Sequence, residues 1–560
     1  MNPFRLYGEL FRRFAWVRLL TFVLIIALGF GIISLVNRST NKKPVISLID
    51  PSVGSPGDIM VISGENFGST RNSSYVEIAG SRLTSSGYLD WSDSEIRVLL
   101  PANVQDGLVV VGTSSGRSEP GFFANTSGIP VASKTVPRTL LPAVRSVTPQ
   151  KASIGQTITI TGSNFGETRG ESKVFFTASH EEDPTNPDDQ FIEASIYDFD
   201  YESWTDTEIR VHVPDGAATG SIYVQTDKGS SQTQKLTVDT AAGVKGLSGK
   251  RTYVLQVNAD ITNAIATAGS TITLYIPRPP TSASQPKAEL TDVNPDPLIK
   301  DDPYDIIQKK ALVSTQTTTQ RFSQTFVVTT YAITNNIKRE NIPATYSDTT
   351  RLLYQKYTAS DSCVPSDDSR IRSLMTSIVG SENSRYRRAV MIYNYMLSHY
   401  RIQEEVRTGN VSPLDMLTTY SGDAYDFTIV FTALCRAAGV PAIPVSGILV
   451  ESGSTCRAHW WTELYFEGYG WFPADVAIGA GLKYNPFAPV SNPPSYYWGN
   501  LDSQHVAFSR GWTQIRSSEV GGKTVYRPRT YALQSIWEEA SRGTTSYSSL
   551  WADPVIRGIY

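Results

Sequence analysis

The 560 residues carry 40% hydrophobic and 18% charged side chains, with a formal net charge of −3. That is apolar material for several cores, and the near-neutral balance offers no basic face for nucleic acid. Three cysteines exclude a disulfide scaffold, and five histidines without metal-ligand spacing lead us to expect no metal and no cofactor.

Residues 1–18 include Arg5, Arg12, Arg13 and Arg18 and are expected on the cytoplasmic side. Leu19–Val36 is an uncharged, mostly apolar run just long enough to span a bilayer as a helix, with Trp16 at one interface. No small-x-small cleavage pattern or lipidation cysteine follows it. The expectation is therefore an uncleaved single-pass anchor in a bacterial inner membrane, with everything after Lys43 extracytoplasmic or periplasmic.

Residues 44–125 and 142–239 are two copies of one unit. Pro56-Gly57-Asp58 leads into alternating Ile59–Ser63 and then Gly64-Glu65-Asn66-Phe67-Gly68; Ile154-Gly155-Gln156 leads into Thr157–Thr161 and Gly162-Ser163-Asn164-Phe165-Gly166. Trp91-Ser92-Asp93 returns as Trp204-Thr205-Asp206. Short alternating strands between Gly and Asn turns predict small all-β sandwiches. The repeats resemble IPT/TIG domains, which are immunoglobulin-like modules. As such they are expected to act as a spacer or to bind protein or glycan. The acidic stretch His180–Gln190 in the second copy reads as a solvated loop. The prolines and serines of residues 125–141 form a linker.

Residues 246–337 alternate again, in Tyr253–Val257, Ser270–Ile276 and Arg321–Ile333, and predict a third β-rich domain. Asp367–Tyr400 predicts two helices, with Ile371, Leu374 and Ile378 on one stripe and Ala389, Ile392, Tyr393, Met396 and Leu397 on the other. From Phe427 the apolar residues recur at helical spacing through Ala438, with Asp423 as N-cap and Gly439 as the stop. Val445–Val450 and Trp460–Phe466 predict strands.

Between Ser421 and Ile478 the chain resembles the transglutaminase-like family, a branch of the papain-like cysteine enzymes. Gly422, Asp426 and Phe427 match its Gly-x-Cys-x-Asp-Phe opening. Arg436–Ala442 matches the helix end, His459 with Trp461 the histidine strand, and Trp471, Pro473 and Asp475 the last element. The resemblance implies an α+β domain over residues 340–480 and assigns His459 and Asp475 as the proton-handling pair. It places the nucleophile at Ala424, which has no thiol to ionise at the helix N-terminus. Cys435 lies eleven residues along the same helix, roughly 16 Å away. Cys456 would face away from His459, and Cys363 is unplaced; a Cys363–Cys456 bridge is open in an oxidising compartment. Thr428, one turn after Ala424, is the remaining hydroxyl on that face, and Ser421 precedes the helix.

Tyr425, Trp460, Trp461 and His505 are the candidate cleft-binding residues. Residues 481–560, rich in aromatics, resemble segments that close the cleft in family members. The expected function is that of a non-catalytic protein that binds a protein, or a cell-wall peptide or glycan, in the degenerate cleft. One alternative is an active peptidase or acyltransferase with another nucleophile. The other is a structural envelope protein that works through its repeats.

Overall fold

The structure is a computed structural model that describes residues 7–8, 11–24, 26–27, 42–125, 140–180, 190–300, 302, 304–312, 319–409, 411–451, 455–513, 523–524, 529–533 and 537–560. The chain forms two compact units, residues 1–129 and 130–560. In the first, residues 11–13, 15–24 and 26–27 are helical, and Trp16, Leu19, Leu20, Phe22, Val23, Leu24 and Ile26 are exposed. No described helix is long and apolar enough to cross a membrane. Residues 25 and 28–36 of the expected span lie outside the described residues, as does most of the acidic stretch, 181–189.

The repeated motifs explain why each sandwich folds. Asn66 and Asn164 both take φ of 62°, and Gly68 and Gly166 take φ of 91° and 93°, a reversal that glycine makes without strain. The turn places Phe67 and Phe165 in the cores at 1% exposure. Asp93 and Asp206 then accept from the Gly68 and Gly166 amides at 2.8 and 3.0 Å. Trp91 and Trp204 donate from Nε1 to the Phe67 and Phe165 carbonyls at 3.2 and 3.1 Å. The distant Trp-x-Asp motif thus staples the Asn-Phe-Gly turn. Each sandwich pairs a four-stranded sheet with a six-stranded one, in the same strand order.

The second sandwich is built into the larger unit and is not a free spacer. Its Asp198 accepts from Arg510 at 3.0 Å, its Asp200 from Arg351 at 3.3 Å, and its Asp215 pairs with buried Lys245. One hydrophobic cluster runs without a break from Val144 to Leu533 through both parts.

The β-rich domain centres on the long strand Gly243–Ala266, which pairs with Gln320–Ile337 on one side. On the other side it pairs with Thr544–Trp551 and Val555–Ile559. A second sheet joins Thr271–Pro277 to Asp305–Ala311 and Trp537–Ala540. The expected bounds of the β-rich domain, 246–337, are extended here by strands that lie within the expected extension 481–560. The last strands of the chain complete the β-rich domain, so the transglutaminase-like region is inserted within it.

The inserted region holds α1 (Ser369–Val379), α2 (Arg385–His399) and α3 (Ala424–Ala437). Its sheet contains β1 (Ala442–Glu451), β2 (Thr455–Phe466), β3 (Gly470–Ala474) and β4 (His505–Arg510), antiparallel in the order β3-β2-β1-β4. α3 is buried on every side from Ala424 to Arg436, which its near-continuous apolar sequence permits. The buried Arg436 at its end donates to the Ala442 and Ala359 carbonyls and pairs with Asp361 at 2.7 Å.

Candidate functional site

α3 begins where a capping box closes it. The Asp423 side chain accepts from the Asp426 amide at 3.0 Å, and the Asp426 side chain accepts from the Asp423 amide at 3.0 Å. Two carboxylates this close and this buried need cations. Arg407 supplies one to Asp426 at 2.6 Å, and Arg529 supplies the other to both. Burial and Asp423 still hold the Asp426 carboxyl above the usual range, against the two arginines. Ala424 is the first residue of the helix and is 4% exposed. Its neighbour Tyr425 stands edge-on to Trp460 at 5.7 Å, which sets the first turn of α3 against β2 beside His459.

His459 on β2 donates from Nε2 to Asp475 Oδ2 at 2.6 Å. Asp475 follows β3 and caps a short helix, accepting from the Ile478 amide through Oδ1 at 2.8 Å. The expected pair is therefore in contact, although residues 459 and 475 lie on different elements. Burial pushes the His459 ring below its ordinary value despite the Asp475 charge. Burial opposes the charge of Asp475, but the rings around it hold its carboxyl well below the usual range.

A second histidine joins them: His505, expected as a cleft-binding residue, is bonded to the pair instead. His505 on β4 donates from Nε2 to the same Asp475 Oδ2 at 3.1 Å, and from Nδ1 to Asp502 Oδ1 at 2.8 Å. Asp502 accepts in turn from Tyr484 and Tyr497 at 2.8 and 2.7 Å. The three atoms His459 Nε2, Asp475 Oδ2 and His505 Nε2 lie within 4.8 Å of one another, near enough for a cation to bridge. Both rings turn an N–H onto one oxygen, however, so hydrogen-bond protons fill that space and the chemistry is that of a proton-sharing cluster.

The expected cleft-binding residues form no open groove. Tyr425, Trp460, Trp461 and His505 are 3%, 0%, 2% and 5% exposed. Residues Arg529–Leu533 lie over part of the sheet, with the Arg529 guanidinium against the Tyr425 ring. Ser446 donates to the Thr530 carbonyl at 2.8 Å, the Leu533 amide donates to Ser509 at 3.1 Å, and Tyr531 stands edge-on to Phe508 at 5.1 Å. No periodicity or motif marked Arg529 in the sequence. For His505 and Asp502 the one available signal was a histidine in the aromatic tail.

Alternative nucleophiles are accounted for one by one. Thr428 Oγ1 has no hydrogen-bond partner among the described residues, so no base touches it. Ser421 donates to the Arg401 carbonyl and accepts from Gln403. The three cysteines are unpaired, and no Cys363–Cys456 bridge forms. Burial pushes Cys363 and Cys456 up to about 12 and Cys435 well above the ordinary thiol range. Cys456 donates to the Pro554 carbonyl at 3.0 Å.

Residues 372–476 match the model of the Transglutaminase-like superfamily, and residues 44–125 and 142–241 match that of the IPT/TIG domain. An uncharacterized protein of Haemophilus influenzae is 25% identical over 175 residues, covering 25% of this chain and 46% of that protein. A cyclomaltodextrin glucanotransferase of Paenibacillus macerans is 33% identical over 86 residues, covering 15% of this chain and 12% of the enzyme. The chain thus spans less than half the length of these relatives. The solved periplasmic domain of TgpA from Pseudomonas aeruginosa is 14% identical with a TM-score of 0.23, covering 40% of this chain and 86% of that one.

Proposed function

We propose that this chain, which carries a transglutaminase-like domain and two IPT/TIG domains, is a non-catalytic member of the transglutaminase-like group that binds a protein or cell-wall peptide and does not process it. The observation that carries this reading is the residue at the start of α3. Covalent catalysis needs a nucleophile within hydrogen-bond reach of its base. Ala424 stands where the family has its thiol, and the hydroxyls and thiols nearby are either bonded elsewhere or untouched by a base. The burial of Ala424, His459 and Asp475 at 4%, 1% and 0% supports the same reading, because a substrate carbonyl needs a path to the site. On this reading the His459–Asp475 pair serves the fold. A buried pair of this kind ties β2 to the residue that follows β3.

The reading extends to a membrane-anchored, extracytoplasmic placement. The exposed apolar side chains between Trp16 and Ile26 support it, since they have no protein partner to cover them among the described residues.

The test is turnover by the full-length protein on casein with a primary amine present, beside His459→Ala. Silence from both forms is expected. Turnover by the wild type that His459→Ala abolishes would sink the non-catalytic reading. Membrane fractionation, with loss of the membrane signal on removal of residues 1–36, tests the anchor.

A further inference from the structure

We propose that His505 is a positioning residue that fixes the charge state of the His459–Asp475 pair: it stands as an imidazolium between Asp475 and Asp502 and takes up the carboxylate charge that an imidazolium at His459 would use. The consequence deepens the non-catalytic reading, but the assignment stands on the ring contacts alone.

With both facing carboxylates ionised, the geometry places two protons on this ring. Nε2 lies 3.1 Å from Asp475 Oδ2 and Nδ1 lies 2.8 Å from Asp502 Oδ1. An ionised carboxylate has only acceptors, so each ring nitrogen facing one must donate, and a ring with two N–H groups is charged. The rival arrangement is a neutral ring with one carboxyl protonated. It is disfavoured because both carboxylates are already surrounded by donors. Asp475 takes the Ile478 amide and His459; Asp502 takes the Gln504 amide at 3.0 Å and the two tyrosine hydroxyls. The His505 side chain is 0% exposed, so no water can replace these partners.

Other titratable groups around the cluster do not change the balance. Arg457, from β2, acts on His459 and lowers it further. Tyr393, from α2, faces Asp475 and is itself held protonated by burial. Tyr484 and Tyr497 are likewise held protonated and donate to Asp502. Burial opposes a charge on His505, yet Asp502 and Asp475 outweigh it and raise the ring to about 9.

It follows that the site lost more than a thiol. A cysteine enzyme of this plan needs its histidine to become a cation beside the thiolate, with the aspartate stabilising that cation. Here the same carboxylate oxygen already serves a cation at His505. His459 is left neutral, and a thiol restored at position 424 would not find an imidazolium to pair with.

The experiment uses the full-length chain labelled with 15N-histidine. The five rings are assigned by single His→Gln replacement and their nitrogens followed with pH. At neutral pH both nitrogens of His505 should be protonated, while His459 should carry one proton. In His505→Gln, whose amide can still donate to Asp475, the titration midpoint of His459 should rise by about one unit or more. Should that variant fail to fold, Asp502→Asn keeps the ring and should lower the midpoint of His505 by a similar amount. A neutral His505 at pH 7, or a His459 midpoint unmoved in His505→Gln, would overturn the proposal. Casein turnover by the wild type would instead strike the non-catalytic reading and leave the ring assignment to the spectra.

Discussion

Arg529 donates through Nη1 to both carboxylate oxygens of Asp423, at 2.9 and 3.0 Å, and through Nη2 to Asp426 at 2.9 Å. Its guanidinium also lies 4.6 Å from the Tyr425 ring centre. A residue more than a hundred positions away thus neutralises the cap of the helix on which the family carries its nucleophile. Side-chain exposures are 4% for Arg529, 1% for Asp423 and 0% for Asp426. Removing one partner of such a pair strands charge in the interior. Arg529→Met should destabilise the larger unit by about 3–5 kcal/mol, read as a lower denaturant midpoint with an unchanged slope.

The charged cluster predicts the shape of stability against pH. His505 is raised from the ordinary histidine value to about 9, so its contribution is complete below about 6.5 and is lost as pH climbs through 9. Asp502 is depressed to about 2, so its contribution is complete above about 4 and is lost as pH falls through 2. Stability should therefore be greatest between roughly pH 4 and 6.5 and decline on the alkaline side by up to about 3 kcal/mol. Denaturant melts from pH 5 to 10 check this. The alkaline decline should be smaller in His505→Gln, and a decline of unchanged size there would assign it to other groups such as Asp426.

Gly447 lies opposite His459 on β1 and opposite Ala507 on β4. A Cβ at Gly447 would sit 1.9 Å from the Val506 carbonyl oxygen. The absence of a side chain is what lets β4 approach β1 closely enough to bring His505 to Asp475. Gly447→Ala should force the strands apart, cost about 2–4 kcal/mol, and remove the two-proton signature of His505. The unfolding midpoint and the ring spectra test the two consequences separately.

Arg510 joins Glu463 on β2 at 2.7 Å to Asp198 of the second sandwich at 3.0 Å, with 3% of its side chain exposed. Arg510→Met leaves two buried carboxylates facing each other across the junction. Limited proteolysis should then cut between the second sandwich and the sheet, where the wild type resists, and stability should fall by about 3–5 kcal/mol.

Ala424→Cys adds one sulfur to a site where Ala424 is already 4% exposed. It should fold with a loss below about 1.5 kcal/mol and remain silent on casein, as measured by amine incorporation. Rapid turnover by this single variant would show that His459 needs no further change to act as a base.

What could be read in advance followed from periodicity and local motifs. The α3 cap at Asp423 and the sandwich turns at Asn66 and Asn164 depend on residues whose spacing carries a mechanism, whereas the meeting of His459 with Asp475 was implied by the family resemblance. The tail resisted such reading for a physical reason. Trp537–Ala540, Thr544–Trp551 and Val555–Ile559 alternate like any half-buried strand, and alternation does not name a partner. The same limit hid Arg529 and the bond from His505 to Asp475, since both join segments brought together only by the fold. Tyr425, Trp460 and Trp461 read as cleft aromatics because composition cannot tell a lined groove from a packed one.

The pairing of Gly243–Ala266 with strands that end at Ile559 bears on how the protein is made. As the ribosome releases the chain from its N-terminus, the long strand emerges some three hundred residues before the strands that cover its other edge. That edge stays open throughout synthesis of the entire inserted region, and it closes only once residues 544–559 are free. A chain without residues 544–559 would leave that edge as a bare row of amides and carbonyls, open to pairing with another chain.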